Sequence, residues 1–255
     1  MTRLTFYIPD SFSVKIKTIH LFLFISLIMS FNPKIVFGSQ STRVLVVTGG
    51  HDYSKNDFNA MLTSLGEGYQ FSTVVFPEAF DMFLPENRNQ YDVVLFYHMW
   101  QTATDFQKQT LADCIASGKP LLVLHHSICA FDDWEEYISI VGGKYFPNNT
   151  VLHGKAYAAS SYRHDMNIKI EIKDKTHPVT HGINDFELFD ETYKDFYVSP
   201  SVTSLLTTSE PSSTSVIGWC HSYGQARVVT LQSGHDTPTF EHPVYRRLLG
   251  QRLAG

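Results

Sequence analysis

The chain has 255 residues, of which 43% are hydrophobic and 18% charged, with a formal net charge of -5. Mixed charge without a basic stripe argues against nucleic acid as a partner. The three cysteines, Cys114, Cys129 and Cys220, are too few and too irregularly spaced for a disulfide scaffold or a zinc knuckle, although one pair could form after export.

The N-terminal stretch reads as a secretory leader. Lys15 and Lys17 precede an apolar run from Ile19 to Met29, and small residues around Gly38 offer a cleavage point before Ser39. The alternative is an uncleaved anchor, but the run is about half of the roughly 20 residues a spanning helix needs. The expectation is a signal peptide over 1–38, a folded domain over 39–255, a secreted or periplasmic location and no stable membrane insertion after cleavage. Asn148, in "NNT", would be a glycosylation sequon only in a eukaryote.

From Arg43 the pattern alternates. "RVLVVT" predicts a strand, "FNAMLTSL" a helix with apolar residues at Phe58, Met61, Leu62 and Leu65, and "FSTVVF" and "YDVVLFY" two further strands. Thr104 and Gln107 form a capping box for a helix to Ser117. "PLLVL" is another strand, and Asp132 or Asp133 opens a helix running to Gly142-Gly143. Continuous apolar strands separated by helices imply a parallel sheet covered on both faces. "MNIKIEI", "SVTSLLTT", "SVIGWC" and "RVVTLQ" add mixed strands at one edge, and Pro243 suits the first turn of a last helix. The fold class is therefore α/β, doubly wound.

Of the twelve histidines only His20 falls in the leader, and several stand just past strand ends. His51 and Asp52 follow "RVLVVT", His98 follows "VVLFY", His125 and His126 follow "PLLVL", and His235 and Asp236 follow "RVVTLQ". In an open parallel sheet those ends share one side, where ligands bind. A lone loop histidine is more often a hydrogen-bonded structural residue, as expected for His177 and His181; a set converging on one rim makes a titratable cleft. Asp190 and Glu191 are adjacent, so in a strand they face opposite ways and one of them can enter that cleft.

The motifs "VLVVTGGHDY", "GKPLLVLHHSICAF" with "WEEYISIVGGKYF", "HPVTHGINDFELFDETYKDF" and "YGQARVVTLQSGHDTPTFEHPVYRRLL" resemble, in order, those of the ThuA-like, or trehalose-utilisation, domain family. The resemblance implies a flavodoxin-like fold akin to the class I glutamine amidotransferases, and an association with trehalose and related saccharides. Where those amidotransferases carry a nucleophilic cysteine on the turn after a strand, this chain has His125, so no glutaminase activity is expected. Cys129 reads as a small buried residue. Ala226 replaces a usual glycine, and the final segment "GQRLAG" lacks the tryptophan common near that terminus, which implies truncation or divergence of the last packing.

The expected site comprises His51, His125, Glu191 and His235 as catalytic groups, with Asp52, His98, Trp100, His126, Tyr193 and Asp236 binding substrate. Tyr53 and Phe131 could add apolar faces for a sugar ring, and His153 is a further candidate for the cleft. The implied activity is a sugar-processing hydrolase or lyase working on a small-molecule saccharide or an oxidised sugar derivative through His and Glu acid–base chemistry. A divalent metal such as zinc is an optional cofactor, because no close-spaced ligand motif such as H-E-x-x-H is present. The alternative is a non-catalytic carbohydrate-binding module, and no feature fixes an oligomeric state.

Overall fold

The computed structural model describes residues 41–253; the expected signal peptide over 1–38 lies outside the described residues. No described helix is long and apolar enough to cross a membrane.

Strands β1 (Thr42–Gly49), β2 (Tyr69–Val75), β3 (Val93–His98) and β4 (Leu121–Leu124) alternate with helices α1 (Lys55–Thr63) and α2 (Asp105–Ala116). After α3 (Glu135–Val141) come the short strands β5 (Gly143–Lys144), β6 (Thr150–Leu152) and β7 (Lys155–Tyr157). The second half contributes β8 (Ser161–Ile172), β9 (Phe186–Lys194), β10 (Tyr197–Val198), β11 (Thr203–Thr207), β12 (Val216–Tyr223) and β13 (Ala226–Leu231), then α4 (Thr237–Glu241) and α5 (Pro243–Leu253). Nine strands form one sheet in the order β2-β1-β3-β4-β13-β12-β11-β8-β9. The first five run parallel to their neighbours, and every pair from β13-β12 onward is antiparallel. The expected doubly wound sheet with mixed strands at one edge is thus the observed one.

Period-two alternation sorts the core into two layers. Leu45, Val47, Val94, Phe96, Leu121, Val123 and Val228 pack on one face with α2 and α3. Val44, Val46, Leu95, Leu122, Leu124 and Val229 pack on the other with α1 and α5. The capping box at α2 forms: the Gln107 amide N–H donates to Thr104 Oγ1 at 3.3 Å, and the Thr104 N–H donates to Gln107 Oε1 at 2.9 Å.

Two local expectations change. The helix expected from Asp132 or Asp133 begins only at Glu135, because those carboxylates are engaged elsewhere: Asp132 accepts from Lys144 Nζ and Asp133 pairs with Lys108, each at 2.8 Å. Ala226 needs no glycine, since the positive φ of its hairpin falls on Gly224 at 55°. The last helix packs through Tyr245, Leu248, Leu249 and Leu253. Arg252, also buried, donates to the carbonyls of Leu121 (3.1 Å) and Arg227 (2.8 Å), fastening α5 beneath β4 and β13.

Gly142 ends α3 at φ 77°, and a Cβ there would stand 2.6 Å from the indole nitrogen of buried Trp219. That indole N–H donates to the Val141 carbonyl at 3.0 Å. Gly142→Ala therefore combines left-handed strain with a clash against a fixed ring, and urea unfolding should show a loss of about 2–4 kcal/mol. A loss under about 0.5 kcal/mol would mean that the α3–β12 junction is not rigid.

Candidate functional site

The turn after β4 delivers the first component. His125 sits at φ 50°, a left-handed conformation uncommon for a residue with a Cβ, at the start of a 3-10 turn over His125–Cys129. The sharp elbow expected after "PLLVL" therefore exists and carries an imidazole. Its Nδ1–H donates to the Gln232 carbonyl at 2.7 Å, which leaves Nε2 to face the site.

The second component is β9. Strand alternation sends Asp190 to one face and Glu191 and Tyr193, two residues apart, to the other. Asp190 accepts the backbone N–H groups of Gly234 (2.7 Å) and His235 (2.9 Å), so it builds the loop after β13. The hydroxyls of Tyr97 and Tyr245 donate to the carbonyls of Gly234 and Ser233 at 2.9 and 3.0 Å. That loop is thereby held through both its donors and its acceptors, which fixes His235.

Glu191 then meets the imidazoles. Its Oε2 lies 2.9 Å from His125 Nε2 and 3.3 Å from His235 Nδ1, and its Oε1 lies 3.4 Å from His164 Nδ1. His125 Nε2 is also 3.2 Å from His235 Nδ1 and 3.1 Å from the Tyr193 hydroxyl. Burial alone would raise the Glu191 carboxyl, but hydrogen bonds from His125 and His235 together outweigh it and hold the group well below the usual carboxylate range. The hydrogen bond to Glu191 raises His235 against the opposing effect of burial. Burial, then the charges of His125 and His235, lower His51. The atoms of His125, Glu191 and His235 closest to one another form the one set of three donors, among the described residues, compact enough to hold a metal ion.

Above this cluster opens a cavity of about 250 Å³ lined by His51, Met99, Trp100, Cys129, Tyr145, Tyr162, His164, Glu191, Tyr193 and His235. Five residues expected at the site, His51, Trp100, Glu191, Tyr193 and His235, thus share one wall. His125 lies fully buried beneath them and reaches the cluster only through Nε2. A neighbouring groove of about 540 Å³ takes in Asp52 and Tyr53 and shares His51 with the cavity. Gly50 is needed where this loop crosses the next: at φ 78° a Cβ would lie 1.7 Å from the Met99 carbonyl oxygen, so its role is close backbone approach.

Five expectations are corrected. His98 follows the alternation of β3 onto the face of Val94 and Phe96, fully buried among Phe76, Phe96, Phe131 and Tyr137, and cannot touch a ligand. Phe131 belongs to the same core. His126 is buried behind His51, its Nδ1–H donating to the His98 carbonyl at 3.0 Å. Asp236 occupies the N-cap position of α4, where its carbonyl accepts from the Thr239 and Phe240 N–H groups, and His153 stands exposed beside Glu135, both outside the cavity wall. His164, Tyr145 and Tyr162 were not anticipated. A bulge between Arg163 and Met166, where β8 spends one more residue than β9, turns His164 toward Glu191.

The match to known proteins agrees with this architecture. Residues 43–253 match the family model ThuA, described as trehalose utilisation. A ThuA-like protein from Parabacteroides merdae superposes with a TM-score of 0.68 at 16% identity, covering 84% of this chain and 89% of that one. One from Bacteroides uniformis gives 0.62 at 16% identity, covering 84% and 91%. A cytoplasmic protein of Salmonella typhimurium gives 0.56 at 14% identity, covering 83% and 97%. No curated protein matches the chain.

The enclosure of His98 has a measurable consequence. Burial pushes its pKa down from 6.5 to about 3, and its one side-chain hydrogen-bond partner among the described residues is the Tyr137 hydroxyl, 3.5 Å from Nε2. Between those two values the unfolded chain takes up a proton that the folded chain refuses, so this contribution to stability falls as pH falls from 6.5 toward 3. His98→Phe should flatten the dependence of unfolding free energy on pH by about 1.4 kcal/mol per unit below pH 6. Parallel pH profiles for variant and parent would contradict a neutral, buried His98.

Proposed function

Because the chain belongs to the ThuA family, described as trehalose utilisation, we propose that it is an enzyme acting on a saccharide or an oxidised sugar derivative. The observation that carries this reading is a carboxylate held against three imidazoles at the floor of an aromatic-walled cavity. Glu191, ionised, serves as proton acceptor. His235, raised by that carboxylate, serves as proton donor. His125 touches both from below and positions them. Trp100, Tyr145 and Tyr162 offer apolar faces on which a sugar ring can rest, and about 250 Å³ accommodates one pyranose ring rather than a long oligosaccharide.

The reaction excludes thiol chemistry of the amidotransferase type. The turn that would hold such a nucleophile carries His125, and burial raises the Cys129 thiol far out of the nucleophilic range. The proposal extends to location: Lys15, Lys17 and the Ile19–Met29 run support export, and N-terminal sequencing of native material beginning near Ser39 would bear it out.

Turnover on a panel of trehalose, other disaccharides and their keto derivatives tests the reading. Glu191→Gln keeps the shape of the side chain and should lower kcat by about 10²–10⁴-fold. Treatment with iodoacetamide should leave the rate unchanged. Saturable saccharide binding by the parent without any turnover would instead favour a carbohydrate-binding module.

A further inference from the structure

His125 Nε2, Glu191 Oε2 and His235 Nδ1 form a triangle with edges of 2.9, 3.2 and 3.3 Å. With its Nδ1–H committed to the Gln232 carbonyl, His125 turns a lone pair toward the carboxylate and toward the second imidazole. Three donor atoms at such separations are held together either by protons shared pairwise, as in the metal-free hydrogen bonds above, or by one cation bonded to all three. A proton can bridge only two of the three at once. A divalent ion bonded to N and O ligands at about 2.0–2.1 Å in tetrahedral geometry sets its ligands about 3.3–3.4 Å apart, close to the observed triangle.

The surroundings have the form of a supporting shell. Gln232, itself fully buried, accepts from His125 through its carbonyl and donates from its side-chain amide to the Glu191 carbonyl at 3.0 Å. A backbone carbonyl on the far nitrogen of a histidine fixes its tautomer and raises its basicity toward a metal. The His235 backbone is fixed by Asp190, and the second oxygen of Glu191 lies beside His164. Every donor is therefore aimed before any ion arrives.

We infer that His125, Glu191 and His235 bind one divalent transition-metal ion of the zinc class, with its remaining coordination directed into the cavity. Two imidazoles and one carboxylate favour zinc, cobalt or nickel over calcium or magnesium, which prefer all-oxygen shells. Glu191 and His235 line the cavity while His125 closes the site from beneath, so a ligand oxygen entering from the cavity meets the ion directly. The inference gives the cluster a cation and rests on the proposed function only for what that cation does to a saccharide.

The test uses the full chain, stripped with dipicolinate and titrated with zinc chloride by calorimetry. Cobalt chloride is followed in parallel by visible absorption. One ion per chain should bind, and the cobalt form should show the intense visible bands of a four- or five-coordinate N/O site. His235→Ala and Glu191→Gln should each weaken zinc binding at least 100-fold. Cys220→Ser, which removes the thiol 3.5 Å from His177 Nε2, should leave it unchanged. Zinc binding that survives both substitutions but is lost in Cys220→Ser would overturn the assignment, as would absence of stoichiometric binding to the parent. Turnover by the metal-free chain would discard the cation's catalytic part and keep the acid–base reading. A zinc-loaded chain without turnover on any saccharide would do the reverse.

Discussion

Two adjacent carboxylates on one strand hold the site together. Because side chains of β9 alternate, Asp190 and Glu191 cannot serve the same partner. Asp190, buried, takes two backbone N–H groups from the loop that carries His235. Glu191, on the opposite face, takes the imidazoles that this loop and the elbow supply. Burying an ionised carboxylate is unfavourable by several kcal/mol unless charge and hydrogen bonds offset it. The offset here comes from groups that belong to distant parts of the chain, β4, β8 and the end of β13. The site is thus a product of sheet closure rather than of any local motif.

The elbow supplies the other half of that closure. A parallel strand of four residues, Leu121–Leu124, is buried on both faces between β3 and β13, and so has no freedom in register. The chain must then leave the sheet at once, which it does through the positive φ of His125. Strain of this kind persists only where the surroundings over-determine it. Stacking of Tyr193 on the His125 ring, with centroids 4.9 Å apart, and the bond to Gln232 provide that determination.

Much of this was legible in the sequence, and the residues show why some was not. His51, His125 and His235 could be placed on one rim because continuous apolar strands announce a parallel sheet, whose ends share a side. Alternation in "DETY" put one of Asp190 and Glu191 in the cleft, and the family resemblance pointed to Glu191. The same reasoning misplaced His98 by one residue: β3 runs through it, so His98 obeys the period of the strand instead of leaving it. His126 shared the fate of a neighbour in a turn, where adjacent side chains diverge. His164 had no signal in hydropathy, since a bulge becomes visible only when the pairing of β8 with β9 is known. Asp132 and Asp133 looked like helix caps and are lysine partners across space, a distinction that local sequence does not carry.

Two depressions flank His51, and size would favour the wrong one. The groove beside Thr48, Asp52, Lys55 and Asn59 has about twice the volume of the cavity, and it lies outside the end of β1 near the β1–β3 switch in strand order. Yet Asp52, Lys55 and Asn59 are exposed and scattered, and solvent weakens whatever field they make. In the smaller cavity one nearly buried carboxylate and its imidazoles meet within about a hydrogen-bond length, beside the rings of Tyr145, Tyr162 and Tyr193. Electrostatic stabilisation of a reacting group depends on fixed dipoles and charges in a dry space. The concentrated charge therefore lies at the floor of the cavity, and the groove adjoins it through His51.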